Sequence, residues 1–483
     1  MTTLSSLTMS RERWLRLAIV VAMFLGAATI TVLIDAGHVR LVVAGTCGLI
    51  LFGIALKNVR LAILALLIYL TLLGDLRRLL VPISGWSGND PILLVGPALT
   101  LILFIAAVMW RRVSLDSTAA KVIALFMVFM TLQIFNPKQG GLMVGVAGAM
   151  LYLVPMLWFW IGQAFTTEQM MRTWFLRIMP ALALVAALMG LYQVFYGWLP
   201  YQLDWYRIAG YSALGPNEQM LRSISIFPNI SEYIQYIGIV VVVASAAAFK
   251  KQRGLLLLSI VIFAALFLAG SRGPIAKIIV AISILYTVQG RSIATWAPRL
   301  AFTVLIGGMA LFWGLSQAGQ LASSGSIDHQ RVSRVLDRQS DLIPTTPGAG
   351  GTVAIHGHLF WIGIKSGFTD PLGKGIGATT LAASKYGDSG GSTEKDLSDM
   401  FKGGGLIGGF LYLCILVLVA VKAVRYWQRE RSLIGLVFVG MLAFTGLSWL
   451  KPGFYVLTPL TWLTIGALDH LDRTSETDNA ESR

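Results

Sequence analysis

Residues 254–289 read GLLLLSIVIFAALFLAGSRGPIAKIIVAISILYTVQ. Two apolar runs, 254–270 and 273–289, are separated only by Ser271 and Arg272. A helix crossing a bilayer needs about 20 apolar residues, and a backbone in lipid must satisfy its own hydrogen bonds, which a helix does. The stretch therefore predicts two membrane helices meeting at a membrane edge. An arginine at that edge is costly unless it has an anionic partner.

The same pattern recurs along the chain. The protein has 483 residues, of which 56% are hydrophobic and 13% charged, whereas a soluble domain carries about 25% charged residues. The surplus apolar surface implies an integral membrane protein. Apolar runs fall at 14–34, 39–56, 59–74, 91–110, 119–136, 141–165, 174–196, 231–249, 254–270, 273–289, 296–316, 403–424, 432–450 and 453–468. The expected fold is an all-α polytopic membrane protein with about fourteen transmembrane helices. Arg11, Arg13 and Arg16 before the first run resemble a signal peptide, but a run reaching Ile34 is longer than a signal sequence needs and reads as a retained first helix.

The formal charge of +15 has a membrane explanation. Basic residues sit in alternate short loops: Lys57 and Arg60, Arg111 and Arg112, Arg172 and Arg177, Lys250 with Lys251 and Arg253, Arg291, and Lys422 to Arg431. This alternation is the positive-inside bias and predicts both termini in the cytoplasm. No basic stripe with interleaved aromatics is present, which argues against nucleic-acid binding. Cys47 and Cys414 lie far apart inside apolar runs and read as core residues rather than a redox or metal pair.

The chain divides into N-terminal membrane helices (1–196), a central part (197–316) with an outer segment at 197–230, a large extracytoplasmic loop (317–402) with short helices, C-terminal membrane helices (403–470) and a disordered tail (471–483). The segment 197–230 is rich in Trp and Tyr (Trp198, Tyr201, Trp205, Tyr206, Tyr211), as an interfacial aromatic belt is. In the large loop, Arg331, Arg334 and Arg338 recur at helical spacing. They predict a helix whose charges pair with Asp328, Asp337 and Asp341, or one that guides anionic ligands. His358–Gly367 reads as a further short helix.

Two arginines at the same predicted face, Arg222 and Arg272, suit a phosphate-bearing lipid, since guanidinium presents a planar fork of donors to phosphate oxygens. Lys277, one turn into its helix, could add a third cation or snorkel to the surface. His356 and His358, two residues apart, would face one side of an extended segment, but no third metal ligand accompanies them.

Three pieces resemble the O-antigen ligase and O-antigen polymerase superfamily of bacterial envelope enzymes. They are Arg222-Ser-Ile-Ser-Ile-Phe227-Pro-Asn229, Ser271-Arg272-Gly273, and the stretch from Trp361 to Asp370-Pro-Leu-Gly-Lys-Gly-Ile-Gly377 with the glycine-rich helix start at 403–409. The resemblance covers about 222–410. It implies a metal-independent, cofactor-free glycosyltransferase in the bacterial cytoplasmic membrane. Its donor would be a polyprenyl-pyrophosphate-linked oligosaccharide, used on the outer face with a glycan acceptor and alongside other envelope polysaccharide assembly proteins. Ligases of the family carry a histidine after the glycine turn, where this chain has Glu394-Lys395-Asp396. That departure favours a polymerase; the alternatives are a ligase, or, from another class, a lipid-linked oligosaccharide flippase. The implied donor-binding residues are Arg222, Arg272, Asn229, Lys277, Arg331 and Arg334. The candidate bases are Glu394, Asp396, His356 and His358.

Overall fold

The computed structural model describes residues 37–210, 221–290, 293–323, 330–340, 352–387 and 391–481. The expected span at 14–34 lies outside them, as do Tyr211, Asp328 and Asp341. The described residues are all-helical, with no strand among them. Nine helices among them are long and apolar enough to cross a membrane, and the chain is accordingly a multi-pass membrane protein.

In chain order, the helices that matter here are α1 (Val39–Lys57), α2 (Val59–Leu79), α3 (Ile92–Met109), α4 (Thr118–Leu132), α5 (Leu142–Met156), α6 (Trp158–Phe165) and α7 (Met179–Phe195). They continue with α8 (Pro200–Ala209), α9 (Ile230–Phe249), α10 (Gly254–Leu268), α11 (Arg272–Thr287), α12 (Ile293–Ser323), α13 (Gln330–Ser340) and α14 (Thr352–Thr369). The last are α15 (Leu381–Tyr386), α16 (Asp396–Glu430), α17 (Leu433–Thr445) and α18 (Leu457–Glu481). The stretch 254–289 forms two helices, α10 and α11, with Arg272 the first residue of α11; neither is among the nine long and apolar enough to cross a membrane.

Helix α9 lies at the centre. Of its apolar window 83% is buried inside the protein, against 17% for α1. Glycines let neighbouring backbones close in where lipid supplies no hydrophobic drive between helices. A Cβ on Gly162 of α6 would come within 2.5 Å of the Leu463 carbonyl of α18, and one on Gly238 of α9 within 2.5 Å of the Phe444 ring of α17.

Several of the basic loops meet at one end of the bundle. Arg60 donates to the Phe165 carbonyl (3.1 Å) and Arg112 to that of Ala164 (3.4 Å). Lys250 lies over the Trp427 ring (4.7 Å), and Arg473 pairs with Asp116 (3.0 Å). The basic loops thus share one end, here the Lys250 end. The tail expected to be disordered instead continues α18 to Glu481. Arg429 holds this extension through Asp472 (2.6 Å) and Glu476 (3.1 Å).

The opposite Asn229 end is capped by an aromatic and arginine layer. Trp198 and Trp205 are only 8% and 5% exposed, so they pack on protein rather than forming an interfacial belt. They stack at 6.2 Å, and Trp86 meets Trp205 edge-on at 5.9 Å. Arg77 lies over Trp86 (4.4 Å) and Arg78 over Trp205 (5.6 Å). The 85–90 turn is fastened by Asp90, which is buried and paired with both Arg40 and Arg77.

Candidate functional site

The Asn229 end gathers most of the residues singled out in the sequence. The segment 222–229 is held tightly. The Gln193 side-chain oxygen accepts from the N–H groups of Ile224 (3.0 Å) and Ser225 (2.8 Å), and Arg78 donates to the Ser225 carbonyl (2.9 Å). Ser225 sits at φ 54°, a left-handed conformation uncommon for a residue with a side chain. Gly74 of α2 makes room for the turn, because a Cβ there would lie 2.5 Å from Pro228 N. Arg222 is half-buried at the start of this segment.

Asn229 caps α9, accepting from Glu232 N (2.9 Å), while its amide nitrogen donates to the Gly453 carbonyl (3.1 Å). Both of its polar atoms are engaged in folding, which supplies a structural reason for an asparagine here. Three residues on, the fully buried Glu232 carboxylate accepts from the N–H groups of Tyr455 (3.0 Å), Val456 (2.8 Å) and Leu457 (3.0 Å). A carboxylate in α9 thereby satisfies the orphan donors that start α18.

Asp396 opens α16 and is 1% exposed. Its Oδ2 accepts from Leu450 N (2.6 Å) and the Tyr412 hydroxyl (3.1 Å), and its own N–H donates to the Leu447 carbonyl (3.1 Å). Its Oδ1 is buried without a hydrogen-bond partner. The next residue after Leu450 is Lys451, whose Nζ donates to the Glu394 carbonyl (2.9 Å). Lys395 therefore flanks the same contact. Lys277 joins from α11, with Nζ 3.4 Å from the Gln235 side-chain oxygen and 5.9 Å from the Phe444 ring centre. It lies within electrostatic reach of Lys395, Asp396 and Lys451. Three ammonium groups thus lie within electrostatic reach of one buried carboxylate. Burial and the neighbouring Lys451 hold the Lys395 ammonium below the usual lysine range. An anionic ligand would relieve that repulsion.

Glu394 has φ 69°, and its carboxylate is paired with His356 Nδ1. Both side chains are close to half exposed, at 45% and 44%. His358 is on the exposed surface of α14. The two histidines belong to one helix, and residues two apart on a helix do not share a face, so they do not form the pair an extended segment would make. Among the described residues no three His, Cys, Asp or Glu side chains are grouped as metal ligands.

The helix predicted from the arginine spacing is α13. A Cβ on Gly197, at the end of α7, would run into the Arg331 guanidinium. Arg331 and the Arg222 segment therefore both abut the last turn of α7, reached through Gly197 and Gln193. Arg334 reaches Gln330 on its own helix (3.4 Å). The glycine turn after Asp370 docks on α16: Gly375 N donates to the Gly403 carbonyl (2.9 Å) and Lys374 N to that of Lys402 (3.0 Å). Gly405, at φ 65° and ψ −157°, kinks α16 beside it, leaving no space for a side chain against Gly373 and Pro371.

The sequence reading overlooked Lys395 and Lys451 as site residues. Lys451 carried one usable signal: it is an isolated lysine at the end of the bundle that the basic loops avoid. No protein-family model matches the chain, and no curated protein is detectably similar to it.

Proposed function

We propose that this chain is a metal-independent membrane glycosyltransferase that joins polyprenyl-pyrophosphate-linked oligosaccharides on the outer face of a bacterial cytoplasmic membrane, as a polymerase of exopolysaccharide or O-antigen. In this reading it has about fourteen spans, the Lys250 end is cytoplasmic by the positive-inside bias, and the Asn229 end faces outward beneath the 317–402 loop. The observation that carries the reading is the gathering of Lys277, Lys395 and Lys451 within electrostatic reach of Asp396, at the end of the bundle that also holds Arg222 and Arg272.

The chemistry follows from charge. As the glycosidic carbon–oxygen bond breaks, the polyprenyl pyrophosphate leaves with its electron pair, and cations fixed nearby stabilise that developing charge. Arg272, Lys277, Lys395 and Lys451 serve this purpose, with Arg222 and Arg331 receiving the donor. The acceptor hydroxyl bonds to the sugar carbon and passes its proton to Glu394, which His356 orients. Concentration of these cations at one end, rather than along a cavity through the bundle, favours an enzyme over a flippase.

The test is transfer between polyprenyl-pyrophosphate oligosaccharides by the purified protein in vesicles. A ladder of lengthened glycans is expected, and Arg272→Ala should abolish it; full activity of that variant would reject the donor role. In cells lacking the protein, accumulation of a single repeat unit on lipid would mark a polymerase, and accumulation of a complete chain on lipid a ligase.

A further inference from the structure

An apolar cavity of about 440 Å³ lies among α2, α3, α5, α6, α15 and α18, within the roughly 300–1,000 Å³ of ligand pockets; Lys385 of α15, which donates to Asn89 Oδ1 (2.7 Å), is among its lining residues. Leu70, Leu93, Pro97, Val154 and Phe454 are among its walls. Its lining runs along α3 from Leu93 to Thr100, seven residues or about 10 Å of helix. The cavity therefore extends from the Asn229 end towards mid-membrane, parallel to the helices.

Two observations define the occupant. The polar atoms at the floor are already used, because Trp158 Nε1 donates to Thr100 Oγ1 (3.0 Å), which donates to the Gly96 carbonyl (2.9 Å). A sugar or peptide there would leave buried polar groups unpaired, and an apolar cavity does not hold water well. Hydrocarbon fits it, and the mouth opens on the protein's surface, where the lining residues Leu94, Met150 and Leu381 are 59%, 37% and 75% exposed. The rim adds a charge. Pro452, Gly453, Phe454 and Tyr455 line the cavity, and the residue just before them is Lys451 of the cationic cluster, one peptide unit of about 3.8 Å away. This rim is fixed by Asn229 at Gly453, and by Glu232 and Arg77 at Tyr455.

We infer that this cavity binds the hydrocarbon chain of a phosphate-bearing lipid whose head group sits at the Lys451 cluster. The inference rests on the donor reading above, in which that lipid is the sugar carrier.

A polyprenyl pyrophosphate bearing a diazirine on its chain tests it in the full-length protein in vesicles of neutral lipid, with labelled peptides located by mass spectrometry. Labelling is expected on 93–100 and 147–158. It should fall at least tenfold in Met150→Trp, at the mouth, and in Ala147→Trp, which narrows the cavity. Excess unlabelled polyprenyl pyrophosphate should compete, and excess phosphatidylglycerol should not. Equal labelling by a diazirine phosphatidylglycerol would mean filling by bulk lipid and overturn the inference. So would absence of label in the cavity, or a cross-link there to the chain's own apolar run at 14–34. Labelling is read without sugar transfer. A labelled cavity in a protein without transferase activity rejects the enzyme reading alone; an active enzyme with an unlabelled cavity rejects the tail site alone.

Discussion

The Asp396 carboxylate accepts from the main-chain N–H of Leu450 at 2.6 Å, and this contact sets Lys395 and Lys451 side by side. Residues 54 apart in sequence thus meet, with Asp396 as the buried acceptor between them. In Asp396→Ala the Leu450 N–H and Tyr412 hydroxyl lose their acceptor. Each buried group left unpaired costs about 1–3 kcal/mol, so the detergent-purified variant should melt well below the wild type. Asp396→Asn keeps an acceptor but removes the charge. It should melt closer to wild type and bind inorganic pyrophosphate more tightly, and weaker binding by a folded Asn variant would contradict the cluster.

Lys451→Gln and Lys395→Gln should act in the opposite direction. A hydrogen bond to a charged group is worth about 1.5–3 kcal/mol, so each substitution should weaken pyrophosphate binding roughly tenfold or more, as measured by calorimetry. Raised salt should narrow the difference. Binding that is unchanged in both variants would remove these lysines from the site.

The low-lying Lys395 ammonium gives a pH signature. Between its depressed folded value and the ordinary lysine value, the unfolded chain binds more protons than the folded one. Its contribution therefore makes stability rise with pH across that window. An anion at the cluster favours the protonated amine, so pyrophosphate binding should take up protons and strengthen as pH falls towards neutrality. Lys395→Gln should flatten that dependence, and an equally steep profile in the variant would assign the titration elsewhere.

Glu394→Gln should lower turnover by about 10²–10⁴, the usual contribution of a general base, with little change in donor affinity. His356→Gln, which removes the partner of that carboxylate, should lower turnover less. Unchanged turnover in Glu394→Gln would exclude Glu394 as the base.

Glu232 predicts a stability effect separate from chemistry. Replacing it by Ala strips the acceptor from three N–H groups at 2.8–3.0 Å, so Glu232→Ala should lower the melting temperature sharply. Glu232→Gln, retaining one acceptor oxygen, should lower it less.

The break between two helices at Arg272 and the phase of the basic loops were legible because lipid imposes a polarity on apolar runs and their loops, which is a local property. Helix α13 was legible in the spacing of Arg331, Arg334 and Arg338, because helical periodicity is local as well. The capping of α9 by Asn229 and its bond to Gly453 were not visible, nor was the burial of Trp198 and Trp205 or the stacking of Arg78 on Trp205. All but the cap itself depend on partners distant in the chain.

By itself, then, the amino-acid sequence determined an all-helical membrane protein with its basic loops at one end, because hydrophobic run length and loop charge are written residue by residue. Only the tertiary structure decided that Lys277, Lys395 and Lys451 come within electrostatic reach of one buried carboxylate, and that the residues following Lys451 wall an apolar cavity. Charge interactions and cavities depend on distances in space, and those distances are set by how α9, α11, α16 and α18 pack.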